Sequence, residues 1–199
     1  MTDKRFHKRA FETGTTPEGN PQEQLHSSKK SGGFLEFLII LLVTFALVFG
    51  FVRPFVVEAF YIPTESMVPT LEVGDRVFVN KFVYRFSQPE RGNVVVFKSI
   101  EGDGDELIKR IVGVPGDEIR VRNGVLFVNN ERWEEPYVND AFPDSSYYGP
   151  VKVPPGEVFV MGDNRGNSRD SRFFGPIPIE SIEGKAFVVF WPPPHIGLL

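Results

Sequence analysis

The sequence predicts an all-β domain of antiparallel strands behind one N-terminal transmembrane helix, and three observations carry that reading. Residues 34–52, FLEFLIILLVTFALVFGFV, form an unbroken apolar run with a single charge, Glu36. Downstream, short segments that alternate apolar and polar residues, or are rich in β-branched residues, are separated by Gly and Pro, which is the pattern of a sandwich or barrel. Beyond the apolar run no long stretch has the 3.6-residue period of an amphipathic helix.

The apolar run comes first. Nineteen residues at about 1.5 Å each span roughly 28 Å, close to the hydrocarbon thickness of a bilayer. Glu36 falls in the first turn, where its carboxylate reaches the interface. A buried core helix would need a polar face, and this run has none. A cleaved signal peptide is the other alternative, because Val57-Glu58-Ala59 has small residues at cleavage-site spacing. The region before it is about twice the usual length, however, and Arg53-Pro54 interrupts it, so an uncleaved anchor is favoured. Lys4, Arg5, Lys8, Arg9, Lys29 and Lys30 precede the helix, whereas only Arg53 follows it before Tyr61. That asymmetry places the N-terminus in the cytoplasm. Residues 1–33, polar and without apolar period, read as a disordered cytoplasmic tail. Residues 34–53 are the transmembrane helix, and residues 54–199 are an extracytoplasmic domain.

In that domain strands are expected over 55–62, 76–84, 93–98, 107–114, 118–128, 157–161 and 185–191. Asn123-Gly124, between Arg120-Val121-Arg122 and Val125-Leu126-Phe127, signals a two-residue hairpin turn. Residues 131–155 are rich in Pro, aromatics and acids and read as an excursion from the main sheet.

Composition narrows the chemistry. The 199 residues include no cysteine and three histidines, which excludes thiol nucleophiles, disulfides and iron-sulfur clusters. A net charge of −4 argues against a nucleic-acid partner held by phosphate contacts. His7 and His26 lie in the tail, and His195 lies in Trp191-Pro192-Pro193-Pro194-His195, a poor scaffold for a base. No cofactor or metal is expected. Gly102-x-Gly104 lacks the third glycine of a dinucleotide loop, and the polar stretch from Asp163 has Arg165 where a calcium ligand belongs.

Three segments remain as carriers of chemistry. In Ile62-Pro63-Thr64-Glu65-Ser66-Met67-Val68-Pro69-Thr70-Leu71, Ser66 sits between prolines that fix the local chain. In Glu106-Leu107-Ile108-Lys109-Arg110-Ile111-Val112-Gly113, Lys109 shares a strand face with Leu107 and Ile111. Burial there lowers a lysine pKa, whereas an ordinary value near 10.4 leaves well under ~1% neutral amine at pH 8. A serine hydrolase needs a base, and without a placed histidine the choices are a carboxylate or a lysine, with Lys81 the nearest rival to Lys109. The third segment, residues 161–176, reads as a loop stapled by Asx and Ser hydrogen bonds and an Asp170/Arg172 ion pair.

Together, Ser66 to Leu71, Lys109 to Gly113 with Pro115-Gly116-Asp117, and Gly162-Asp163-Asn164-Arg165 through Ser168, Asp170, Ser171 and Arg172 resemble the ordered boxes of bacterial type I signal (leader) peptidases. The likeness runs from the anchor to about Trp191. It implies a membrane-bound serine endopeptidase that removes signal peptides from exported preproteins at the outer face of the cytoplasmic membrane. By this resemblance Ser66 is the nucleophile and Lys109 the general base. Thr64, with the Ser66 N–H, completes the oxyanion hole; Ser168 orients the lysine amine; Asp170 and Arg172 brace the loop. Phe60, Ile62, Met67 and Ile108 line the pockets that select small residues at substrate positions −1 and −3. The family's catalytic domain is all-β with a small inserted subdomain, here residues 119–154. Ser66 lies at most about 45 Å of extended chain from Arg53, which keeps the site near the bilayer. Phe55, Val56, Phe60, Trp191, Ile196, Leu198 and Leu199 are the candidates for lipid contact. On the residues alone two other readings stay open: a Ser/Lys protease that cleaves itself or a regulator, and a tethered β module whose boxes only stabilise turns.

Overall fold

A computed structural model describes residues 32–52, 56–102, 104–138 and 143–199. The expected tail, apart from its last two residues, lies outside the described residues, as do Arg53, Pro54 and Phe55. Helix α1, Gly32–Leu47, continues into a π-helical turn at Val48–Val52. Its window Gly33–Gly50 has a mean hydropathy of 2.5 and is the one helix among the described residues long and apolar enough to cross a membrane.

The strand domain holds β1 (Val57–Tyr61), β2 (Arg76–Asn80), β3 (Val94–Lys98), β4 (Glu106–Gly113), β5 (Glu118–Arg122), β6 (Val125–Val128), β7 (Glu131–Arg132), β8 (Tyr147–Lys152), β9 (Glu157–Met161), β10 (Ile177–Pro178), β11 (Ile182–Trp191) and β12 (Gly197–Leu198). Every pairing is antiparallel. The first sheet runs β1-β2-β11-β3-β4-β9-β10, with β12 added on β11, and the second runs β7-β6-β5-β8. The all-β expectation is therefore met.

Local chemistry explains where boundaries depart from expectation. The strand expected over 76–84 stops at Asn80, whose Oδ1 accepts from the N–H groups of Phe82 and Val83 and turns the chain. The Asn123-Gly124 turn forms as expected, both residues having positive φ and Arg122 pairing with Val125. The excursion after Glu131 does leave the main sheet, but it also supplies β7 and β8. Strand β8 escapes a period-2 reading because the β5 pairing slips between Ile119 and Val121, opposite Gly149-Pro150, and this bulge breaks the alternation. Gly149 is fixed there, since an added Cβ would stand 2.4 Å from the Ile119 carbonyl oxygen.

Alternation along β3 sends Val94 and Val96 into one core and Val95 and Phe97 into another, so both faces of the first sheet are covered. Val94 and Val96 join Ile62, Met67, Leu71, Val77, Val79 and Ile108, which fastens the Ser66 segment to the sheet. A third cluster unites Val112, Phe159 and Met161 of the first sheet with Ile119, Val121, Leu126 and Val128 of the second. The C-terminal segment is tied down as well. Nδ1 of His195 lies 2.7 Å from Asp75 Oδ1, and the Leu199 N–H donates to the Phe187 carbonyl. Of the side chains named for lipid contact, Trp191, Ile196 and Leu198 are exposed, while Phe60 and Leu199 pack against the core.

Phe159 is fully buried in the cluster that joins the two sheets, its ring tilted against that of Tyr148. Phe159→Ala is expected to destabilise the strand domain by about 3–5 kcal/mol in chemical unfolding. A loss below about 1 kcal/mol would contradict a shared core.

Candidate functional site

The Ser66 segment follows β1 and is held at both ends by backbone. Ile62 N–H donates to the Asp75 carbonyl, Gly74 N–H to the Ile62 carbonyl, and Leu71 N–H to the Met67 carbonyl. Met67 and Leu71 are the apolar plugs of this segment, both fully buried. The segment is thus a side-chain-anchored loop, and it presents the Ser66 hydroxyl toward β4.

Strand β4 carries Lys109 into the same place. The amine is 2.8 Å from Ser66 Oγ and donates to the Ile108 carbonyl oxygen at 2.8 Å. Lys109 is 3% exposed. Burial lowers its pKa to about 8, against the opposing pull of the Asp170 and Asp163 carboxylates. A neutral amine that spends one N–H on the Ile108 carbonyl retains its lone pair for the Ser66 hydroxyl proton. The Thr64 hydroxyl lies 3.3 Å from Ser66 Oγ.

The polar loop after β9 closes the site from below. An added Cβ on Gly162 would stand 2.4 Å from the Ser66 carbonyl oxygen and 2.3 Å from Ser168 Oγ, so only glycine allows the loop this close to the Ser66 backbone. Asp170 caps the one-turn helix α2, Ser171–Phe174, by accepting from Arg172 N–H, and its other oxygen accepts from Gly162 N–H. The Asp170/Arg172 ion pair is present at 2.9 Å, and Arg172 also reaches Asp144 at 2.7 Å. Ser168, expected to orient the lysine amine, lies beside Gly162. Its Oγ is buried without a hydrogen-bond partner, and the lysine amine donates to the Ile108 carbonyl.

A cleft of about 620 Å³ opens over the pair, lined by Pro63, Thr64, Glu65, Ser66, Leu107, Lys109 and others. Beside it lies a second cleft of about 260 Å³, whose lining includes Phe60, Ile62, Val96, Leu107 and Ile108 together with Thr64 and Lys109. Met67 does not line it: the side chain plugs the core beneath.

Several residues that hold the site were not anticipated. Arg110, next to Lys109 and on the opposite face, forms a buried ion pair with Asp163 at 2.7 Å. Asp163 accepts from the Thr70 hydroxyl at 2.6 Å, and the Arg110 guanidinium lies over the Tyr137 ring. Arg165, almost wholly buried, pairs with Glu135. Asn164 contacts the backbone on either side of Ser66. A strand that buries an arginine, Arg110, needs a carboxylate nearby, and that residue was the available signal.

Gly162→Ala is expected to cost about 1–3 kcal/mol in unfolding free energy, because the backbone contact with Ser66 cannot yield as a side chain would. Unfolding unchanged from wild type would contradict the close approach.

Comparison with known proteins identifies the family. Residues 35–191 match the family described as signal peptidase, peptidase S26. A probable signal peptidase I-2 from Synechocystis sp. is 48% identical over 153 residues, 74% of this chain and 69% of that protein. A signal peptidase I from Leptolyngbya laminosa is 39% identical over 192 residues, 92% of this chain and 93% of that one. Signal peptidase IB of Staphylococcus aureus is 38% identical over 175 residues, 79% of this chain and 90% of that protein. The chain therefore belongs to the signal peptidase family, peptidase S26, whose members are serine endopeptidases.

Proposed function

We propose that this signal peptidase works through Ser66 as nucleophile and Lys109 as general base. The observation that carries the reading is the buried lysine amine 2.8 Å from the serine hydroxyl. Neutral Lys109 takes the Ser66 proton as Oγ attacks the scissile carbonyl carbon. The resulting oxyanion is held by the Ser66 N–H and the Thr64 hydroxyl. The Lys109 ammonium then returns its proton to the leaving amine, which frees the mature protein and leaves an acyl-enzyme. Water, deprotonated by the same amine, attacks the ester; the signal peptide departs as a carboxylate and Ser66 regains its proton.

The cleft lined by Phe60, Ile62 and Ile108 supports a preference for small residues at positions −1 and −3, because a shallow apolar wall rejects large side chains by overlap. The cluster of basic residues before α1 supports a cytoplasmic N-terminus, with the β-strand domain at the outer face of the membrane. Residues 119–154, which encompass most of the second sheet, fit an inserted subdomain that braces the catalytic loop.

The test is cleavage of a preprotein with alanine at −1 and −3 by the full chain in detergent. Ser66→Ala and Lys109→Met are each expected to lose at least about 10³-fold in kcat/KM. Wild type is expected to show kcat/KM rising with pH through about 8, since below that value the amine is protonated and cannot accept the hydroxyl proton. Undiminished cleavage by either variant, or a flat profile between pH 6 and 9, would sink the dyad.

A further inference from the structure

The geometry points to Asn164 as a positioning residue for the oxyanion hole, one that aims the Ser66 N–H by clamping the peptide to which that N–H belongs. The inference rests on the reading of Ser66 as nucleophile. A trans peptide is a rigid plane with C=O and N–H on opposite edges, so a clamp on the oxygen fixes the direction of the hydrogen. Asn164 Nδ2 donates to the Glu65 carbonyl oxygen at 3.1 Å, on the same peptide as the Ser66 N–H. The Asn164 backbone N–H donates to the Ser66 carbonyl oxygen, also at 3.1 Å. One residue thus holds both peptide planes that flank the Ser66 Cα.

The Glu65 oxygen also accepts from Val68 N–H, but that bond closes a turn within the Ser66 segment and moves with it. Asn164 supplies the tie to a different part of the domain, the loop after β9. This loop is itself fixed: Arg165 Nε donates to the Gly162 carbonyl and its guanidinium pairs with Glu135, while Asn167 N–H donates to the Asn164 carbonyl. Among the described residues the Ser66 N–H donates to no backbone or side-chain acceptor, which leaves it for substrate. Two donors on the Glu65 oxygen also polarise the amide and make that N–H a better donor.

Asn164 occupies its position at a cost. The side chain is 1% exposed, and its Oδ1 is buried without a partner. A buried unpaired oxygen opposes folding, so packing alone would favour an apolar residue of the same shape. That contrast supplies the experiment. Asn164→Leu keeps the branched outline and removes both the clamp and the unpaired oxygen. In the detergent-solubilised full chain, kcat/KM for preprotein is expected to fall about 10- to 100-fold, within the range for a displaced oxyanion donor. The fall should lie in kcat, with KM, the thermal midpoint and the alkaline-rising pH limb kept. A substrate-derived peptide aldehyde, which forms a tetrahedral adduct with the serine, should lose the same factor in affinity, while the matching peptide alcohol should bind within about twofold of wild type.

Equal weakening of aldehyde and alcohol, or wild-type kcat/KM, overturns the inference. If Asn164→Leu does not fold, Asn164→Ala carries the same aldehyde-to-alcohol comparison. An inactive Ser66→Ala beside an undiminished Asn164→Leu overturns this inference alone; an active Ser66→Ala overturns the parent reading and this one with it.

Discussion

The desolvation of one amine is the constraint on which the site depends. Lys109 sits on a strand with both faces covered, and burial moves its pKa to about 8 even though Asp163 and Asp170 pull the other way. With its ordinary pKa the side chain would be almost entirely protonated at neutral pH and useless as a base; with a pKa of about 8, roughly a tenth is neutral at pH 7. The fold therefore has to bury an amine without pairing it directly with a carboxylate, because an ion pair would restore the charge. It does so by giving the amine two uncharged partners, the Ser66 hydroxyl and the Ile108 carbonyl.

The charges that such a site excludes are gathered one step away. Asp163 is occupied by Arg110 and Thr70, and Asp170 by Arg172, the α2 N-terminus and Gly162. Each carboxylate has its own cation, so neither needs the lysine. These pairs also set the distance between segments far apart in the chain: Thr70 ties the Ser66 segment to Asp163, and Arg110 ties β4 to the same carboxylate. The second sheet contributes through Glu135 and Asp144, which hold Arg165 and Arg172. Removing Arg110 from Asp163, or Glu135 from Arg165, would leave a buried charge uncompensated, which is costlier than the pair is stabilising.

Much of this was legible in the sequence, and the exceptions have physical causes. Residue pattern revealed β3 and β4, whose aliphatic runs are buried on both faces in the interior of the first sheet. It did not reveal β8, whose Gly149-Pro150 bulge breaks the period, nor the two-residue strands β7, β10 and β12, which are too short to have one. Ser66 and Lys109 could be selected by eliminating other nucleophiles and bases and by resemblance. The supporting contacts could not: Asn164 to the Glu65 carbonyl and Gly162 beneath the Ser66 carbonyl join residues nearly a hundred positions apart through the backbone, which carries no residue-type signature. Ser168, placed by resemblance beside the lysine amine, has a buried Oγ without a hydrogen-bond partner, which no sequence pattern could signal. His195, dismissed as part of a proline-rich tail, is fixed against Asp75, because Pro192 to Pro194 deliver it to the turn that precedes β2.

The central claim is that the fold keeps one particular amine neutral enough to act as a base. Direct titration of the Lys109 ε-carbon by NMR, in the full chain labelled at lysine and assigned by comparison with Lys109→Met, reads that property without reference to catalysis. A midpoint near pH 8 is predicted. A midpoint near 10.5, the value of an ordinary lysine, would contradict the account.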